Sequence, residues 1–232
     1  MALGLTLAVF ILLIKLGLWQ WQRGNEKLAM ESALQDRASH APISLEQAIN
    51  NKASNLTGTQ IQARLTPLKQ QAWLLDNQIW DSKVGYMAYQ LMQDQQQNLW
   101  LFELGFVPAP NSRDQLPKLD LVGEMIEVKG RLYQRSTNPL SHDLNAESGD
   151  ISRIQNLNIP QLSEQLGLTI QPWLIQPLNL TQPNYPHPWA PINMSSQKHF
   201  GYSLQWFSMA AVLLALVIAF IWRARRQDEK HH

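Results

Sequence analysis

The chain has no cysteine in its 232 residues. That excludes disulfides, thiolate nucleophiles, iron–sulfur clusters and cysteine zinc sites, so any domain outside a membrane must stand on its apolar core. It also lacks charge of one sign, since 19 Lys and Arg against 18 Asp and Glu leave a formal net charge of +1. No basic field exists to hold nucleic acid, and no acidic one to gather cations. The motifs G-x-x-x-x-G-K, G-x-G-x-x-G, G-x-S-x-G and H-E-x-x-H are absent, and no internal repeat is found. The scattered ionisable residues have plain readings. His142, Asp143 and Asp150 belong to a polar loop from Ser141 to Asp150; His187, between prolines in an extended linker, reads as an exposed interfacial residue; His231 and His232 close a charged tail and are given no role.

What the chain does have is two apolar ends. Residues 1–18 carry a single charge, Lys15, and a helix of that length nearly crosses a ~30 Å hydrocarbon core. Trp19, Trp21 and Arg23 follow, as aromatic rings at an interface and a cation at the headgroups. A cleavable signal peptide would show a basic start and a small-x-small site. Here no Lys or Arg precedes position 15, and Leu18-Trp19-Gln20-Trp21 is bulky, so the helix is read as retained. A start codon placed downstream of the true one would explain the missing basic residues. Residues 204–222 carry no charge, have Trp206 and Trp222 at their ends, and stop at Arg223-Ala224-Arg225-Arg226. The basic stop puts both termini in the cytoplasm and the long middle outside.

Between the ends, Ser44 caps a short helix with Gln47 in the capping-box position. Alternating or short apolar stretches at 58–65, 72–76, 86–92, 99–105 and 124–133 read as strands. Residues 108–117 read as a loop. Residues 158–167 read as a helix with Pro160 in its first turn and Gly167 as its stop. Ile170–Leu178 is a last strand whose Pro172 and Pro177 argue for an edge. The expected fold is a membrane protein with two transmembrane α-helices flanking one α+β periplasmic domain, mainly an antiparallel sheet or partly closed barrel with short helices. The expected boundaries are a first membrane helix over 1–19, an interfacial stalk over 20–43, the domain over 44–180, a linker over 181–201, a second membrane helix over 202–222 and a basic tail over 223–232.

One constellation points to a ligand. His199, Tyr202 and Trp206 share a face of the second helix, and Trp19, Gln20 and Arg23 one of the first. If the helices pack side by side, an imidazole, polar and cationic groups and aromatic walls meet at the membrane surface. That set suits a large planar ligand with carboxylates, such as a haem. Aromatic and basic residues also gather at the interface in any two-pass protein, which is the plainer explanation.

Leu16-Gly-Leu-Trp-Gln-Trp-Gln-Arg23, with Lys27, is similar to the L-G-x-W-Q-x-x-R motif that opens the Surfeit locus protein 1 (Shy-type) family. Lys198-His-Phe-Gly-Tyr-Ser-Leu-Gln-Trp-Phe207 resembles its closing H-x-x-Y-x-x-Q-W-F signature. Leu75-Asp-Asn-Gln, Val84-Gly-Tyr, the region of Val122-Gly and Lys129-Gly-Arg, and Arg153-Ile-Gln-Asn-Leu-Asn-Ile fit between them. One segment departs: Leu104-Gly105-Phe106-Val107-Pro108 stands where the family usually has R-G-W-V-P, which removes a charge and puts any binding role of that arginine in doubt. The resemblance implies a non-enzymatic assembly factor of cytochrome c oxidase in the bacterial inner membrane. It would bind haem a transiently and help place it in oxidase subunit I, beside the haem A synthase and in contact with membrane lipid. His199 matches the family histidine proposed as ligand to the haem iron; Arg23 and Trp19 are expected at propionate and ring, with Gln20, Tyr202 and Trp206 around them. No nucleic-acid partner is expected, and homo-oligomerisation is left open. Two rivals remain: a structural scaffold that never touches haem, and a periplasmic enzyme, which would need converging carboxylates in a deep pocket.

Overall fold

The computed structural model describes residues 2–51, 55–112, 115–135 and 142–228. Ser141, His231 and His232 lie outside the described residues. In order the elements are α1 (Ala2–Ser39), α2 (Leu45–Asn50), β1 (Gln60–Trp80), β2 (Lys83–Gln93), β3 (Leu99–Pro108), β4 (Ile126–Tyr133), β5 (Ile151–Ile154), α3 (Ile159–Leu166), β6 (Ile170–Pro177) and α4 (Ser196–Asp228). Two compact units result: residues up to Ala33 together with those from Ile192, and Leu34–Pro191 between them.

The first unit is a pair of helices, both long and apolar enough to cross a membrane. No proline interrupts either one, so α1 runs 38 residues and its polar second half continues the apolar first half without a break. α4 begins at Ser196, ahead of the 202 expected from hydropathy, because Lys198–Gly201 continues the helix outside the apolar run. Shielded positions recur every three or four residues: Leu13, Gly17, Gln20 and Gly24 on α1, and Ser196, His199, Ser203, Phe207 and Ala210 on α4. This spacing is that of left-handed helix pairs, in which small residues let backbones approach closely. A Cβ on Gly17 would lie 2.6 Å from the Phe207 ring, and one on Gly24 2.5 Å from the Phe200 ring. The same glycine-under-phenylalanine contact thus repeats one heptad apart, antiparallel.

The second unit is a closed ring of five strands. β1 pairs antiparallel with β4 through Gln60–Leu65 and with β2 through Thr66–Trp80; β2 pairs with β3, β3 runs parallel to β6, and β6 returns antiparallel to β4. This is a five-stranded Greek-key type of barrel, which removes open edges. The two strands expected at 58–65 and 72–76 are one strand, because a break in register between Pro67 and Ala72 absorbs the proline. β5 adds a short parallel strand against Ala72–Leu75.

Apolar side chains fall into two clusters. One takes Leu74, Ala88, Trp100, Phe102, Leu104, Val128, Leu132 and Ile175 from all five ring strands and fills the barrel. The other, with Trp73, Tyr89, Leu101, Phe106 and Leu174, lies on the opposite face under Leu162 of α3. That is why β2 and β3 are buried on both faces along most of their length. Buried Trp100 still has its polar atom satisfied, Nε1 donating to Asp94 at 2.9 Å; Trp100→Ala would cost ~3–5 kcal/mol.

Both expected short helices form as read. Ser44 and Gln47 make the reciprocal capping box, and α3 is capped by Asn158 and stopped by left-handed Gly167. The edge position expected for Ile170–Leu178 is wrong, since β6 has β3 on one side and β4 on the other. Two extra residues between Ile170 and Leu174 form an irregularity against Leu99 and Leu101 that takes Pro172, while Pro177 ends the strand.

Candidate functional site

Three polar contacts join α1 to α4 along one line. Ser203 Oγ donates to the Gly17 carbonyl at 2.9 Å, which requires the close backbone approach that glycine allows. His199 Nδ1 is 2.8 Å from Gln20 Oε1. Glu31 accepts the Ser196 backbone N–H at 2.9 Å and the Ser196 hydroxyl at 2.6 Å, capping the first turn of α4 from the neighbouring helix. In the stalk, outside the apolar stretch, the Ser196 hydroxyl bond and then its backbone bond hold the Glu31 carboxyl below its ordinary value.

His199 is 9% exposed, so Gln20 is its partner in a largely dry setting. Nε2 makes no hydrogen bond among the described residues, yet is not among the sealed, unpartnered atoms, so it reaches the surface. At 100° per residue, Arg23 on α1 and Tyr202 and Trp206 on α4 fall on the same side of the seam as this pair. Phe200, Phe207 and Trp21 fall on the other, with Trp21 and Phe200 5.2 Å apart. The structure therefore joins His199 to Gln20 directly and leaves Tyr202 46% exposed beside them. Arg23 pairs with Glu26 of its own helix at 2.7 Å, both side chains exposed. Trp19 is 52% exposed, about 100° round the helix from Gln20. Among the described residues no group of three or more His, Asp or Glu is placed to hold a metal ion.

The middle unit contains a second polar cluster. Glu103, 1% exposed on β3, accepts from the Tyr133 hydroxyl at 2.5 Å and from Gln176 Nε2 at 2.8 Å, and lies 3.1 Å from His187 Nδ1. Tyr89 lies 3.4 Å from Tyr133, and Arg135 reaches Tyr89 at 3.5 Å and bonds Gln78. Burial, opposed by Arg135 and reinforced by Glu103, raises Tyr89 to about 12. Burial first and then Glu103 raise Tyr133 well above its ordinary value. Gln176 also bonds Arg131 at 2.7 Å, and Arg131 stacks 3.5 Å over Trp189.

His187 is thus not the exposed residue expected. Residues 185–189 cross β3 as a strap: Phe106 N–H donates to the Pro186 carbonyl at 2.7 Å, and Gln176 to the Pro188 carbonyl at 3.3 Å. Gly105 makes room for this crossing, with φ of 122° and a would-be Cβ 2.6 Å from Tyr185 Cβ. The imidazole ends with Nε2 buried and unpartnered among the described residues. Leu104, at the position where the resemblance leads one to expect arginine, is fully buried in the barrel core, and the buried acidic side chain of this strand is its neighbour Glu103. A glutamate inside the apolar run Leu99–Leu104 was the available signal, since a buried carboxylate requires partners.

Compared with known proteins, residues 7–211 match a family model described as SURF1 family. No curated protein matched the chain.

Proposed function

The chain belongs to the SURF1 family, a family of cytochrome oxidase assembly factors, and on that basis we propose that it receives haem a transiently at His199 and helps its insertion into oxidase subunit I. The observation that supports this reading is the His199 ring, oriented by Gln20 through Nδ1 with Nε2 left unpartnered. A histidine ligand to metal typically donates its other ring N–H to a fixed acceptor, and this one has such an acceptor. The remaining residues fit a haem on energetic grounds. The Arg23–Glu26 pair is exposed and exposed pairs are worth little, so Arg23 can turn to a propionate at small cost. Tyr202, Trp206 and Trp19 supply apolar area around the ring. Once bound, haem would bring its iron chemistry to the client oxidase; this chain's residues only hold, orient and release it. A shallow site with one protein ligand suits transfer, because affinity is tuned mainly through release.

In this reading the protein is a chaperone and not an enzyme, and it lies in the bacterial inner membrane with a periplasmic domain. Both termini are cytoplasmic, on the basic end of α4 at Arg223, Arg225 and Arg226. Subunit I and haem A synthase are its partners. The deciding experiment is the absorption spectrum of detergent-purified protein co-expressed with a haem A synthase, wild type beside His199→Ala. A haem a spectrum that collapses in the variant is expected. Absence of haem from folded wild type, or its retention by His199→Ala, would refute the reading. The alternative is a scaffold without haem; it draws support from Gly17, Ser203 and Phe207 of the two end motifs, which pack one helix on the other.

A further inference from the structure

We infer that Gln20 is a positioning residue that fixes the tautomer of His199, keeping the proton on Nδ1 and the Nε2 lone pair free. Neutral imidazole in water favours the opposite form, with the proton on Nε2, the nitrogen that must be bare to bind a metal. A fixed acceptor at Nδ1 reverses that preference. Gln20 Oε1 lies 2.8 Å from Nδ1, and the ring is 9% exposed, so water competes poorly for the bond. The acceptor is also uncharged, which selects the tautomer without burying an anion near the membrane.

The partner's location gives this tautomer a condition. His40, one residue past the end of α1, bonds the Asp36 carbonyl of that helix through Nδ1 at 2.7 Å, a contact that needs no second helix. His199 instead takes its partner from α1, 179 positions away. The carbonyl four residues back, that of Ser195 just ahead of α4, receives the Lys198 and His199 backbone N–H groups at 3.2 and 3.5 Å. The ligand-competent form is therefore the favoured one only while the helices are paired, a pairing held from both sides by Ser203 on Gly17 and Ser196 on Glu31. A separated α4 would carry an imidazole with its proton on the wrong nitrogen.

The value of this tautomer to a haem rests on the proposed function; the tautomer itself does not. The test is side-chain ¹⁵N NMR of the full chain in detergent, with ¹⁵N-histidine, without haem, at mildly alkaline pH, His199 being assigned by its loss in His199→Ala. Wild type is expected to show a protonated Nδ1 and a bare Nε2. Gln20→Leu should move the proton to Nε2, and Gln20→Glu, which keeps an acceptor, should restore the wild-type pattern. A proton on Nε2 in wild type overturns the inference, as would happen if Gln20 turned its amide nitrogen toward the ring. An unchanged Gln20→Leu spectrum overturns it too. In the haem-loaded protein, Gln20→Leu should weaken binding ~10-fold or more, as loss of such an outer partner does. Wild type that shows the expected tautomer but takes up no haem would sink the haem reading alone.

Discussion

Gly24 and Phe200 form a knob and hole whose roles can be exchanged. A Cβ on Gly24 would sit 2.5 Å from the Phe200 ring, against the 3.5–4.0 Å of a good contact, so Gly24→Leu must push the ring or the helix aside. Overpacking of this kind costs up to ~3 kcal/mol, and replacing a helical glycine returns just under ~1 kcal/mol. The net loss of ~2 kcal/mol lowers the ratio of paired to separated helices ~30-fold. Phe200→Ala alone leaves a hole; with the ring half-buried, ~2 kcal/mol is expected. Together the substitutions move bulk from one helix to the other at nearly constant volume, so the double variant should fall within ~1.5 kcal/mol of wild type. The absence of cysteine makes the assay clean. Spin labels on Leu12→Cys and Leu214→Cys, both exposed, the first next to buried Leu13 and the second one turn beyond buried Ala210, report pairing as a distance distribution during titration with a denaturing detergent. Simple addition, a double variant down by ~4 kcal/mol, would refute the knob-and-hole account.

Three further outcomes follow from the polar contacts. Glu103→Leu leaves Tyr133 and Gln176 without their buried acceptor and should lower stability by ~3–5 kcal/mol, whereas Glu103→Gln, which keeps one acceptor oxygen, should cost less; thermal unfolding by near-ultraviolet circular dichroism checks both. Tyr89 ionises at about 12 in the fold against 10 when unfolded, so its contribution is fully present below pH 10 and is lost as pH rises towards 12. That loss amounts to ~3 kcal/mol, and alkaline unfolding of Tyr89→Phe should lack it. Glu31 has a lowered value, so its cap on α4 is present above the ordinary carboxylate range and fails as pH falls through the folded value. The same spin-label distances should broaden in acid, and Glu31→Gln should remove that pH dependence.

Features with local causes were readable in the sequence. A run of apolar residues, Ser44 with Gln47, and Asn158 with Pro160 and Gly167 each act within a few positions, and each gave the expected element. Long-range compensation was not readable. The two stretches of β1 looked like separate strands and Pro172 like an edge marker because a bulge is a property of two strands, only one of which carries the proline. The candidate site divides in the same way. His199 and Gln20 could be named because each lies on a helix face of fixed period, but their bond depends on the register between segments 179 positions apart. Glu103 meets Tyr133, Gln176 and His187 across 30, 73 and 84 positions, a convergence that only the closed ring and the strap bring about.

The seam between α1 and α4 gives the middle of the chain a second task. Were Leu34–Pro191 a flexible loop, bringing its ends together would carry an entropy cost that grows with its length, roughly (3/2)RT ln n, or about 4–5 kcal/mol for a loop of that size. A middle that has already folded is no longer a free loop, so most of that entropy is lost in its own folding and not in the pairing of the helices. Gln20 and His199, 179 positions apart, then meet more readily once the residues between them have folded. A chain not yet synthesised past position 199 carries Gln20 without its partner, and one whose middle stays unfolded bears the full loop cost when that bond forms.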